Sequence, residues 1–351
     1  MLVRVLHAVQ GIEENDPVFE KCEKSLALAR LATRLGGLVQ GKSEYYTQLV
    51  KSIFSSLANG SSRKEFRSLM GMITIDGLII SVSKEAISKE DADRISAYLL
   101  EKLVDDLKRT SGMSHLCVVR LTYYANCIIK LGKFSDIPAP ILHSLLELVV
   151  LNFPVAANTI RASDVAVANT CAYLAPDYPE ARKVFEILRD PVIVSNASKV
   201  KLVTNRQAHD SKDIMIDTAS YLRKLLPGLQ KVEQETVRVI YFVDIYCEVP
   251  TAELVAALGE DVLSALSTEQ RAQAVQQVCL EVSGRTHFCG VTETRNIRTL
   301  FKLESLRRHD FVALDISQND LYQVSLLAEK DEKKALELFK DKLKESLKFT
   351  L

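Results

Sequence analysis

Three short stretches of this chain carry the residue types from which chemistry is commonly built. Gly36-Gly37-Leu38-Val39-Gln40-Gly41-Lys42-Ser43 satisfies the pattern GxxxxGK[ST]. In a phosphate-binding loop the backbone amides wrap the phosphates, the Lys neutralises them and the hydroxyl ligates magnesium. Such a loop follows a buried strand, whereas the preceding CEKSLALARLATRL is charged and helical, and no apolar strand ending in Asp follows to hold the metal. The match reads as an inter-helix turn. His287 and Cys289, with Cys279 or His309, are zinc-ligand types, as are His115 and Cys117, but the paired short spacings of a zinc site are missing. Arg308-His309-Asp310 has the composition of a kinase catalytic loop in the wrong order, with no glycine-rich loop or metal-binding DFG element to accompany it. HExxH and GxSxG do not occur, and the acidic residues are scattered, so no acid and base pair stands out. The expectation is a non-enzymatic protein with no cofactor, no metal and no small-molecule substrate.

Local positive charge is the remaining functional feature. Between Arg182 and Lys212 seven basic residues, Lys199, Lys201 and Arg206 among them, face three acidic ones. Between Gly284 and His309 there are six, including Arg295, Arg298, Arg307 and Arg308, against two. Brought onto one surface, these segments could track a phosphate backbone, with Asn205, Asn296 or Phe301 reaching bases. The alternatives are an ordinary solvated face and a contact with an acidic protein.

The elements that must position these residues read as helices. Apolar residues recur at helical spacing almost without pause, and strand-like alternation is scarce. Helix follows helix across a short turn: Phe19 to Leu35 and Tyr45 to Leu57, then Phe66 to Ile80 and a helix opened by Ser88 with Asp91. Leu116 to Leu131 and Ile141 to Leu151 come next, then a small-residue helix after Ser163-Asp164 and Glu180 to Leu188. Anchors near Cys22, Phe66, Cys117, Val165 and Ile214 recur at 44, 51, 48 and 49 residues, a period near that of armadillo and HEAT units. One hairpin cannot bury both of its faces, so neighbours stack. The predicted fold is all-α, an α-solenoid of stacked helical hairpins, with a globular helical bundle as the alternative. Residues 1–190 form the first array, 191–207 an irregular connection rich in Val, Ser and Asn, and 208–351 a second array. The second comprises helices over Asp213 to Leu226, Val232 to Cys247, Thr251 to Leu258 and Ser267 to Val282, and an amphipathic helix or helix pair over Gln318 to Lys348. An irregular zone over Ser283 to Arg295 interrupts it.

Composition narrows the class. The 351 residues contain 45 Lys plus Arg and 45 Asp plus Glu, so no net charge draws the chain to nucleic acid and any such binding falls to local patches. With 47% apolar residues, 13 Gly and 9 Pro, long disordered tracts are excluded. Seven cysteines without CxxC spacing read as buried free thiols of a reducing compartment. No apolar run approaches the length of a bilayer span, so no membrane partner is expected. The amino-terminal stretch lacks the cleavage site of a signal peptide and does not form an intact transit peptide.

FSDIPAPILHSLLELVVLNF and ASDVAVANTCAYLAPDYPEARKVFEIL, within Phe134 to Leu188, resemble the helical hairpins of organellar heptatricopeptide and FAST-kinase-like RNA-associated proteins. They are also similar to divergent armadillo/HEAT-like subunits of kinetoplastid mitochondrial RNA-editing assemblies. The likeness covers this one segment, and the period here is longer than the heptatricopeptide unit. No base-reading residue transfers, and the carboxyl-terminal endonuclease-like domain of some relatives is not visible in this sequence. What the resemblance implies is a mitochondrial protein that binds RNA or docks within an RNA-processing complex, among other protein subunits. A protein-only scaffold subunit is the alternative.

Overall fold

The computed structural model describes residues 12, 16–35, 43–60, 63–109, 114–152, 165–188, 211–264, 266–284, 287–289 and 294–351. The chain divides into two compact units, one of residues 1–196, 285–299 and 351, the other of residues 197–284 and 300–350.

The first unit contains eight α-helices among its described residues: α1 (Val18–Leu35), α2 (Ser43–Ala58), α3 (Leu69–Ile79), α4 (Lys89–Leu107), α5 (His115–Lys130), α6 (Ala139–Asn152), α7 (Val165–Leu174) and α8 (Pro179–Leu188). The helical spacing anticipates each of them. Their packing follows from the same spacing: α1, α3, α5 and α7 are successive neighbours in one row, and α2, α4, α6 and α8 lie in a second. The core takes Met72, Ile75 and Leu78 of α3, Ile95, Leu99 and Leu103 of α4, and Val119, Leu121 and Ile128 of α5, all buried.

Helix starts are set by side chains that satisfy amides no helical carbonyl can reach. Ser68 Oγ accepts from the Gly71 amide at 2.8 Å, and Ser88 Oγ from the Asp91 amide at 3.0 Å. Ser88→Ala should lower stability by about 1 kcal/mol, while Ser88→Asp should retain it. A urea midpoint that Ser88→Ala leaves unchanged would mean that the Ser88 hydroxyl does not stabilise the start of α4.

The second unit overturns the all-α reading. It opens with α9 (Ser211–Leu225) and continues with β1 (Lys231–Arg238), β2 (Tyr241–Pro250), α10 (Thr251–Leu258), α11 (Thr268–Arg271) and β3 (Val275–Ser283). It then runs through α12 (Ile297–Arg308), whose first three residues count with the first unit, β4 (Val312–Ser317), α13 (Gln318–Ala328) and α14 (Glu332–Ser346). The strands form one sheet in the order β1-β2-β3-β4, antiparallel across the first two pairings and parallel across β3 and β4. The chain is therefore mixed α/β and not an all-α, armadillo/HEAT-like solenoid.

The expected helix over Val232 to Cys247 is a hairpin, and the second half of that expected over Ser267 to Val282 is β3. Both segments are rich in β-branched residues, the hairpin also in aromatics, and these suit a pleated sheet covered on its faces. Such buried strands read as apolar runs, and periodicity alone does not separate them from buried helix. Ile245, Cys247, Val278, Leu280 and Leu314 of the sheet pack with apolar residues of α9, α10, α13 and α14, Phe339 and Leu343 included. A second cluster joins Tyr241, Val243, Tyr246, Cys279 and Ala313 to Leu303 and Leu306 of α12. Helix α10 stops at Gly259, whose φ of 90° is a conformation open mainly to glycine.

The seven cysteines are free, five of them buried. Burial pushes the Cys171 and Cys247 thiols up to about 12, so they stay protonated and unreactive at neutral pH. Among the described residues no helix is long and apolar enough to cross a membrane.

Candidate functional site

The most unusual chemistry lies in the second unit, where β2 parts from β3. The antiparallel ladder ends at Ile245↔Leu280. One residue beyond it, Asp244 Oδ2 accepts from the Val282 amide at 2.7 Å. Glu281 of β3 has Asp315 of β4 as its ladder partner. Three carboxylates thus occupy neighbouring positions on three adjacent strands. Glu281 is 2% exposed and Asp315 1%, so bulk water solvates neither.

Such a row requires compensation, because an ionised carboxylate in a low-dielectric interior is costly unless paired. The compensating charge is Lys302 of α12, whose Nζ lies 2.5 Å from Glu281 Oε2 and also donates to the Phe242 carbonyl. Ser283 Oγ donates to Asp315 Oδ1. One atom is left over: Glu281 Oε1 is buried without a hydrogen-bond partner. Burial outweighs the attraction of Lys302 and pushes the Glu281 carboxyl up to about 8, with Asp244 and Asp315 adding repulsion. Asp244 is also raised, chiefly by burial, against the lowering effect of Lys302 and the Val282 amide. Burial and the neighbouring carboxyls thus favour the protonated form of Glu281, and Lys302 opposes them. Among the described residues no group of three or more His, Cys, Asp and Glu is placed to hold a metal ion.

None of these carboxylates stands out in the sequence as a site. The one signal is an acidic residue inside an otherwise apolar run, Glu281 in VCLEV and Asp315 in VALDI. Read as helix, such acids fall on a solvated face; read as buried strand, they fall in the core.

The described residues selected for positive charge differ in their surroundings. Lys199, Lys201 and Arg206 lie outside the described residues. Arg295 is buried, its guanidinium 4.1 Å from the centre of the Phe288 ring. Arg298 is exposed, and its pKa is lowered by the packing around it and by Arg30. Arg307 is buried and bonded to backbone: Nη2 donates to the Ala313 and Ser346 carbonyls, each at 3.1 Å, and Nη1 to that of Phe349. It thereby ties β4 to the end of α14. Arg308 is half-buried. Arg295 and Arg298 belong to the first unit, Arg307 and Arg308 to the second.

The other motifs resolve into local structure. Of the Gly36 to Ser43 turn only Ser43 is described, and the element before it is helix α1, where a phosphate loop requires a strand. His287 Nδ1 lies 3.3 Å from Thr299 Oγ1, and Cys289 Sγ approaches the Ser81 carbonyl at 3.9 Å. Asp310 follows the end of α12 with a φ of 62°. Comparison with known proteins yields no match: no family model, no curated protein and no solved structure is similar to this chain.

Proposed function

We propose that this chain is a non-enzymatic RNA-binding protein of a mitochondrial ribonucleoprotein or RNA-processing complex. One observation carries the reading. The helices of the first unit pack in two rows, as expected of helical hairpins such as those that Phe134 to Leu188 resembles. The mitochondrial placement rests on that resemblance. A binding role fits the state of the acidic row, because Lys302, Ser283 and the Val282 amide already engage its carboxylates.

The test is affinity purification from the native source after crosslinking, with and without ribonuclease, read by protein mass spectrometry and RNA sequencing. RNA crosslinked to this chain is the expected result. Partners that persist after ribonuclease, with no crosslink to the chain, would replace it with the second reading, a protein-only scaffold. That reading is favoured by Tyr322 and Leu326, 63% and 44% exposed one turn apart on α13. Cleavage of a bound RNA on addition of magnesium would overturn the non-enzymatic part.

A further inference from the structure

A positively charged surface that the sequence does not single out lies within the first unit, and Arg120 of α5 assembles it. Its Nη1 donates to the Arg67 carbonyl at 3.0 Å, just before α3, and its Nη2 to Asp106 Oδ2 at 3.0 Å, in the last turn of α4. The two segments so joined carry Arg63, Lys64 and Arg67 on one side and Lys108 and Arg109 on the other, and all five residues are exposed. Tyr98 of α4 reinforces the junction, donating from its hydroxyl to the Arg63 carbonyl at 3.3 Å.

The neighbouring acids are largely engaged. Asp106 pairs with Arg120, and Asp105 lies 3.7 Å from Lys102. Five exposed cations therefore stand against Glu65 in these segments, on a chain of zero net charge. Met70, 63% exposed, lies one turn beyond Arg67, and Leu116, 48% exposed, one turn before Arg120. Cations of this density beside apolar side chains suit a polyanion that also offers apolar faces, which is the character of a single nucleic-acid strand with unstacked bases.

We infer that Arg63, Lys64, Arg67, Lys108 and Arg109 form the surface on which this protein binds the backbone of single-stranded RNA. The inference rests on the RNA-binding reading proposed for the chain and locates its contact in the helical unit. The aromatic residues of these segments, Phe66 and Tyr98, are buried. Bases therefore rest against Met70 and Leu116 without ring stacking, and binding is dominated by phosphates and indifferent to sequence.

The test uses the full chain and a fluorescent oligouridylate of about 30 nucleotides, a length that spans several such sites. Two charge-reversal variants, Arg63→Glu with Lys64→Glu and Arg67→Glu, and Lys108→Glu with Arg109→Glu, are compared with a control at exposed lysines of the second unit, Lys330→Glu with Lys333→Glu. Each of the first two should weaken binding at least tenfold and the control should not. Neutral replacement of all five cations by Gln should lower the slope of log affinity against log salt by about 3.5, at about 0.7 for each phosphate no longer neutralised. An oligonucleotide of mixed sequence should bind equally well. Because the replaced side chains are exposed, the thermal transition should not move.

Unchanged RNA affinity in both reversal variants, with strong binding by the parent chain, would overturn this surface and leave the RNA-binding reading intact. Failure of the parent chain to bind any RNA would overturn both. Binding to phosphatidylserine vesicles that the reversals abolish, while RNA binding persists, would reassign the surface to a lipid and overturn the proposal.

Discussion

At pH 8.5, where Glu281 is ionised, replacing Lys302 with Met should destabilise the α/β unit by about 3–5 kcal/mol, the usual cost of stripping a buried charge of its partner. Lys302 is 7% exposed and its Nζ is 2.5 Å from Glu281 Oε2, so the variant leaves three neighbouring carboxyl groups without this cation. The Phe242 carbonyl loses its donor as well. Hydrogen exchange at the amides of β2, β3 and α12 reads the effect inside the second unit. The loss should be greater at pH 8.5 than at pH 5.5, because a protonated Glu281 has little need of an ammonium. Equal losses at the two pH values would sink the claim that Glu281 is the group Lys302 compensates.

The sign of the pH dependence follows from the raised Glu281 pKa. The unfolded chain releases this proton near 4.5, while the folded chain keeps it to about 8. Between those values the folded state binds more protons, so stability is full below about 4.5 and falls as pH rises towards 8. The slope from this one group is at most about 1.4 kcal/mol per pH unit. Glu281→Gln mimics the protonated form and should flatten that slope, with little change at pH 5 and a gain over the parent chain at pH 8. A slope that survives the substitution would place the titrating group elsewhere.

How far the sequence could be read depended on whether a residue's environment was local. In the first unit it was: Ser88 caps the helix it precedes, and the apolar positions of α4, Ile95, Leu99 and Leu103, lie at successive turns of one face. In the second unit the same criteria fail. Val243, Ile245, Cys247 and Val249 alternate, but Tyr246 between them is buried too, on account of Phe311 and the helix α12. Burial on both faces erases alternation, and what remains is an apolar run that fits helix as well as strand. The acidic row was hidden for the same reason. Asp244, Glu281 and Asp315 are 34 or more residues apart in sequence and become neighbours only through strand pairing. Arg295 and Arg307 show the converse. As sequence they are two charges in a basic run, but Arg295 lies against Phe288 and Arg307 against three backbone carbonyls, so their charge is committed within the fold.

The helical unit has its own buried ion pair, and breaking it should cost a similar amount. Lys130 Nζ of α5 lies 2.7 Å from Asp76 Oδ1 of α3, with the side chains 3% and 12% exposed. Asn126 Nδ2 donates to the same oxygen at 3.2 Å, and Cys127 Sγ lies 3.8 Å from it. All three α5 groups converge on one carboxylate, so Asp76 fixes the register of α5 against α3 more tightly than apolar contact alone would. Lys130→Met should cost about 3–5 kcal/mol, since it leaves Asp76 buried with a neutral amide and a thiol whose pKa burial already raises. Removing both charges, as Asp76→Leu with Lys130→Met, should recover most of that loss, because paired apolar replacements of buried ion pairs are often neutral. The double-mutant cycle, followed by hydrogen exchange in α3 and α5, should therefore give a coupling of about 2 kcal/mol or more. Additive losses would mean that the two side chains are stabilised by separate neighbours and that the pair does not set the helix register.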